Sequence, residues 1–133
     1  MSVINQLFRL NRSINRLSQE SPVSNARLEV LGLINQHNPI TLKQLCEIQG
    51  VSMPTMSKLV DELQNEALVI RAQSKDDARQ RWIVPTQKGV QTYQSAQKMA
   101  TEFWTAHLSG LSKNDVKQVE DALQKLLKVL SPS

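Results

Sequence analysis

Cys46, His37 and His107 are the only thiol and imidazole side chains in the chain. No two of them stand at the close spacing of a zinc ligand pair, so a metal site would have to be completed by carboxylates, and none is expected. A nucleophile elbow, a phosphate-cradling glycine loop with its lysine and a zinc-binding HExxH are all missing, and four glycines leave little material for such loops. The chain is therefore not expected to be an enzyme or to hold a cofactor. What remains is the chemistry of cations and hydroxyls in two short stretches: Thr55, Ser57 and Lys58 in one, and Lys75 and Arg79, flanked by Arg71 and Arg81, in the other. Such groups suit a polyanion such as duplex DNA. A net charge of +4 permits this partner without requiring it. Residues 1–85 carry ten basic against eight acidic side chains, and 86–133 six against four, so position must decide.

The first stretch sits on a recognisable scaffold. Thr41 is a suitable N-cap for a short helix over 41–49, and Gly50 is its left-handed terminator. Ser52 then caps a second helix, with Pro54 in its first turn, where a missing N–H is harmless. That second helix keeps Met56, Leu59, Val60 and Leu63 on its core side and turns Met53, Thr55, Ser57, Lys58 and Asp61 elsewhere. Two short helices joined by a glycine turn make a helix-turn-helix, whose second helix fits a major groove. The strand-like runs 68–72 and 81–84 flank a polar loop, giving a hairpin wing beside that helix. Asp76 and Asp77 at its tip would be odd on a surface meant only for phosphate, and a carboxylate there can instead hold an arginine in place. A helix from the Ser21-Pro22 turn to Asn38-Pro39, carrying Val23, Leu28, Val30, Leu31 and Ile34, reads as buried packing, with His37 at its end given no ligand role.

Both termini carry narrow apolar seams. Val3, Leu7, Leu10, Ile14 and Leu17 alternate at steps of four and three, as do Val116, Val119, Leu123, Leu126 and Leu130, the latter after Ser112 and Asp115 at capping-box spacing. Each seam covers about two heptads, too few for a solitary coiled coil, so each helix needs further surface. An intramolecular helix pair would meet that need, and a dimer interface built from both ends, favoured here, would also meet it. Between them, a helix from Thr86 places Val90, Tyr93, Ala96, Ala100, Phe103, Trp104 and His107 on one broad face and is expected to stop at Gly110. A single cysteine excludes an internal disulfide, no secretory leader pattern opens the chain and no apolar run would span a bilayer, so a cytoplasmic protein without a membrane partner is expected.

The joint spacing of Leu42, Leu45, Cys46, Gly50-Val51-Ser52, Thr55-Met56-Ser57-Lys58-Leu59-Val60-Asp61 and Leu63, then Leu68-Val69, Arg71, Asp77, Arg79, Thr86 and Gly89, resembles the multiple-antibiotic-resistance regulator (MarR) family of winged-helix transcription factors. The pattern spans about residues 23 to 110, and the layout the whole chain. The resemblance implies a mainly α fold with a small β-hairpin wing: a winged helix-turn-helix lobe over 23–85, with dimerisation helices over 1–20 and 86–133. It implies that Ser52, Met53, Thr55, Ser57 and Lys58 face the major groove or its flanking phosphates, that Arg79 is the wing arginine reaching a minor groove, and that Asp77 is its brace. Lys75 and Arg81 would add phosphate contacts. Leu7, Leu10, Ile14, Leu17, Val119, Leu123, Leu126 and Leu130 would build a homodimer interface. In related regulators small aromatic or amphipathic effectors enter between the lobe and the dimer helices.

Three positions depart from the family pattern. Ala67 replaces a common Gly, so the turn there is expected to differ. Ala78 replaces an arginine and removes one wing cation, for which Arg81 could compensate. Pro85 replaces a Leu, so the second wing strand is expected to end early. Cys46 takes the place of a small core residue and reads as packing, not as a redox sensor. The function expected is that of a homodimeric repressor of pseudo-palindromic operators. The alternative is a winged-helix protein-interaction module that binds another regulator and little or no DNA.

Overall fold

The structure, a computed structural model, describes residues 1–21, 25–73 and 81–131. It comprises two compact units, Met1–Ala100 and Thr101–Ser133. The elements are α1 (Ser2–Glu20), α2 (Ala26–Gln36), α3 (Leu42–Gln49), α4 (Met53–Asn65), β1 (Val69–Gln73), β2 (Arg81–Pro85), α5 (Gln87–His107) and α6 (Lys113–Leu130). The chain is thus mainly α with a two-stranded antiparallel hairpin. Helix α5 crosses from the first unit into the second.

Local chemistry accounts for the helix boundaries in the first unit. Asn25 caps α2 by accepting from the Arg27 N–H at 2.8 Å, so the helix opens at Ala26, while Val23, expected near its start, lies outside the described residues. At α3, Thr41 Oγ1 accepts from the Gln44 N–H at 3.1 Å and Gln44 Oε1 accepts from the Thr41 N–H at 3.0 Å, a reciprocal capping box. Gly50 terminates α3 at φ +69°, where a side chain would be strained although no neighbour crowds the site. Ser52 then caps α4, with Pro54 in the first turn.

The core lies where these helices meet the hairpin. Val30, Leu31 and Ile34 of α2, Leu45 of α3, and Met56, Val60 and Leu63 of α4 pack with Ile40, Leu68, Val69 and Ile83 in one buried cluster. Full burial of such side chains contributes about 1.5–3 kcal/mol each before entropy is counted. The hairpin register pairs Val69 with Pro85, Arg71 with Ile83 and Gln73 with Arg81. Ile40 joins it by a single bridge, its N–H donating to the Ile83 carbonyl at 3.2 Å and its carbonyl accepting from the Ile83 N–H at 2.7 Å.

Three expectations are corrected. Ala67 keeps the left-handed backbone of a glycine, at φ +60°. It is held there by Thr86, whose Oγ1 donates to the Ala67 carbonyl at 2.7 Å and whose N–H donates to the Leu68 carbonyl at 3.0 Å. Strand β2 does not stop short of Pro85 but includes it, because at the terminal pair of a short edge strand the missing N–H breaks no ladder. Helix α5 ends at His107, and Gly110 is not its left-handed cap. Its last turn closes instead through the Leu108 N–H donating to the Trp104 carbonyl at 2.9 Å.

Gly89 is required by proximity: a Cβ there would fall 2.0 Å from the Leu68 carbonyl oxygen. Together with Thr86, it lets the start of α5 lie directly on the turn between α4 and β1.

In the second unit, Ser112 and Asp115 form the capping box expected at the start of α6, with N–H to side-chain oxygen distances of 3.1 and 3.0 Å. Phe103 meets Trp104 edge-on at 5.5 Å, and the His107 ring lies 4.5 Å from that of Phe103. Neither α1 nor α6 buries a residue.

Candidate nucleic-acid interface

Helix α4 has two faces. Met56, Val60 and Leu63 are buried, with Leu59 half-buried beside them, while Met53, Thr55, Lys58 and Asp61 are exposed. Ser57 is half-buried at the border. The side chains expected to read DNA therefore share the outward surface of the second helix of a helix-turn-helix, but they are not equivalent. The Ser52 hydroxyl accepts from the Thr55 N–H at 3.4 Å and donates to Thr55 Oγ1 at 2.9 Å. Its proton is given to Thr55 Oγ1, whereas the Thr55 hydroxyl proton remains free to donate outward. Met53, at the helix start, receives the Cys46 thiol on its sulfur at 3.4 Å. Cys46 is half-buried against the core cluster, as a packing residue would be.

Lys58 is exposed, and among the described residues no carboxylate lies within ion-pair distance of it. Arg81 is exposed at the first residue of β2. Lys75, Arg79 and the brace residue Asp77, together with Ala78 at the wing tip, lie outside the described residues.

Arg71 has a different use. It reaches from β1 to α4, pairs with Asp61 at 2.8 Å and donates a second hydrogen bond to Gln64. Asp61 thus tethers the hairpin to the C-terminal half of α4, a pairing the sequence reading did not foresee although both residues belong to the family pattern. Lys88 likewise acts locally, donating to the Glu66 carbonyl at 2.9 Å, and Glu66 forms an ion pair with Arg27 of α2. The turn after α4 is therefore gripped from both α2 and α5.

A second feature was not legible in the sequence. An open cavity of about 410 Å³ lies within the first unit, between α2, the end of α3 and the first half of α5. Leu28, Gly32, Leu33, Ala96 and Ala100 give it apolar walls. Its polar groups are Glu29, which accepts from Gln49 at 3.1 Å, Gln36, which donates to the Tyr93 hydroxyl at 3.0 Å, and Gln97. Pockets of this size and lining suit small organic ligands.

The expected dimer residues divide by exposure. Leu7, Leu17 and Leu126 are half-buried, while Leu10, Ile14, Val119, Leu123 and Leu130 are exposed, Leu130 at 69%. Among the described residues no group of three or more His, Cys, Asp and Glu could hold a metal ion, and no helix is long and apolar enough to cross a membrane.

Comparison with known proteins places this geometry. The chain is 22% identical over 116 residues to the HTH-type transcriptional repressor IacR of Pseudomonas putida, covering 87% of this chain and 70% of that one. Apo MarR from E. coli superimposes with a TM-score of 0.77 at 20% identity, covering 92% of this chain and 95% of that one. A putative MarR-family regulator from Listeria monocytogenes, solved in complex with a 26mer DNA, gives a TM-score of 0.74 at 21% identity over 96% of this chain and 87% of that one. Residues 21–80, from the approach to α2 to the residue before β2, match the MarR family model. That stretch of the chain therefore matches a family of transcription regulators and not of enzymes, and the remaining helices follow the fold of the MarR structures.

Proposed function

We propose that the protein is a homodimeric winged-helix transcription regulator that represses from pseudo-palindromic operators and is relieved by a small amphipathic effector. The observation that carries this reading is the outward face of α4, where Met53, Thr55 and Lys58 stand opposite the buried Met56, Val60 and Leu63. The Listeria regulator of the same fold was solved with a 26mer DNA, and IacR is a repressor, so both relatives support it. Two copies of α4 would enter successive major grooves about one helical turn apart, with the wings on the flanking minor grooves. Ser57, Lys75, Arg79 and Arg81 would supply further backbone and groove contacts, and Asp77 would hold Arg79.

A second copy of the chain would cover the apolar stripes of α1 and α6, which bury nothing in one protomer. The cavity between α2, α3 and α5 would take the effector. An aromatic or amphipathic molecule would lie on Leu28, Leu33 and Ala96, with its polar end at Gln36 and Tyr93. Regulation of this kind places the protein in the cytoplasm.

The test is a gel-shift of the full chain on the DNA upstream of its own gene, across a salt series. Two protomers per retarded duplex, with affinity falling steeply as salt rises, are the expected result. Absence of any shift at low salt would overturn the reading and favour the protein-interaction module.

A further inference from the structure

We propose that Met53 reads the 5-methyl group of thymine, and that the operator is selected chiefly by apolar contact to A·T pairs at the α4 N-terminus. The inference rests on the DNA-binding reading above and specifies its sequence preference.

The first turn of α4 is the part of a recognition helix that approaches base edges most closely. Here it presents Met53, Pro54 and Thr55, all exposed. None has the paired donors by which Arg grips guanine, or the amide by which Asn and Gln grip adenine. The Ser52 hydroxyl donates its proton to Thr55 Oγ1, so Ser52 cannot donate to a base without giving up that hydrogen bond.

Met53 is 48% exposed, the largest apolar side chain on the exposed face of α4. Its sulfur is held at 3.4 Å by the Cys46 thiol, which is itself packed against the core. The sulfur thus contacts α3 while the rest of the exposed side chain, its terminal methyl included, stays open to a partner. In the major groove, the apolar group that distinguishes one base from the other three is the thymine methyl. Thr55 adds a methyl and one outward O–H donor, which suits the O4 acceptor of the same base.

The experiment uses duplexes of about 30 base pairs, enriched from random sequence by the full-length chain, and the same duplexes with deoxyuridine replacing thymine in each half-site. That exchange removes only the methyl group. Burying one methyl group is worth about a fourfold change in affinity, so two symmetric half-sites should lose about fifteenfold. Met53→Ala should lose most of the preference for thymine over uracil, keeping only what the Thr55 methyl supplies. Met53→Gln, which supplies an amide able to pair with adenine, should enrich a different base at the contacted step. Equal binding of thymine and uracil duplexes by the unaltered chain overturns the proposal, as does the full thymine preference persisting in Met53→Ala, or the same sequence returning with Met53→Gln. If the unaltered chain enriches no duplex at all, the DNA-binding reading itself fails; if it enriches one without methyl sensitivity, only this inference does.

Discussion

Lys58→Ala tests the electrostatics of the proposed interface most directly. Lys58 is the single cation on α4, it is exposed, and no described carboxylate neutralises it. A dimer on DNA would present two such groups. Each lysine–phosphate contact contributes about 0.9 to the slope of log affinity against log salt, so the variant's slope should be shallower by about 1.8. Between about 50 and about 200 mM salt, that difference makes the unaltered chain lose about twelvefold more affinity than the variant. The variant should therefore bind more weakly at low salt, and the gap should close as salt rises. Fluorescence anisotropy on one labelled duplex, titrated at four or more salt concentrations, measures both slopes. An unchanged slope with reduced affinity would refute the argument, because it would mean that Lys58 acts through a base edge or through folding and releases no counterion.

Three further predictions concern the scaffold. Gly89→Ala would put a Cβ 2.0 Å from the Leu68 carbonyl oxygen. Relieving that clash separates α5 from the α4–β1 turn and sacrifices the two Thr86 hydrogen bonds, so urea denaturation should show a loss of about 2–4 kcal/mol; a change below about 0.5 kcal/mol would show the turn to be slack. Ala67→Gly should stabilise by about 0.5–1 kcal/mol, since relief of the left-handed strain at φ +60° exceeds the extra freedom that glycine brings to the unfolded chain; a loss of stability in the same assay would contradict this. Ile14→Asp places a charge in the proposed α1 seam twice per dimer, removing about 3–6 kcal/mol of apolar burial. Light scattering should then report a monomer with undiminished helical circular dichroism, and an intact dimer would exclude that seam from the interface.

The helix-turn-helix was legible because its signals are local. Thr41, Gly50, Ser52 and Pro54 each act within one helical turn, and the structure uses each of them as chemistry requires. The same holds for the Ser112 and Asp115 capping box. What misled was local chemistry overridden by a distant partner. Ala67 has no intrinsic liking for a left-handed backbone, yet Thr86, nineteen residues on, binds its carbonyl. Gly110 has the type of a helix terminator, but α5 had already closed at His107. The cavity was hidden for the same reason. Its walls come from α2, α3 and α5, whose side chains are ordinary in each helix and meet only after folding. Within the proposed interface, residue types showed which side chains face outward, while the hydrogen bonds that free Thr55 and commit Ser52 required coordinates.

The arrangement also explains how a small lobe can present the exposed face of α4 rigidly. At its N-terminus, α4 is fixed by the Ser52 cap and by the thiol contact between Cys46 and Met53. At its C-terminal half, Arg71 ties Asp61 and Gln64 to the hairpin, and the turn that follows is gripped by Arg27 from α2 and by Thr86 and Lys88 at the start of α5. Exposed ion pairs of this kind are individually weak, about 0–1 kcal/mol each. Their effect here is geometric: several partners from different elements converge on one short turn, so α4 cannot rotate about its axis without breaking contacts to both α2 and α5. A ligand that separated α2 from α5 in the proposed effector cavity would act on the two elements that hold this turn, and would reach the proposed DNA-reading face of α4 through rigid backbone without touching the side chains proposed to contact DNA.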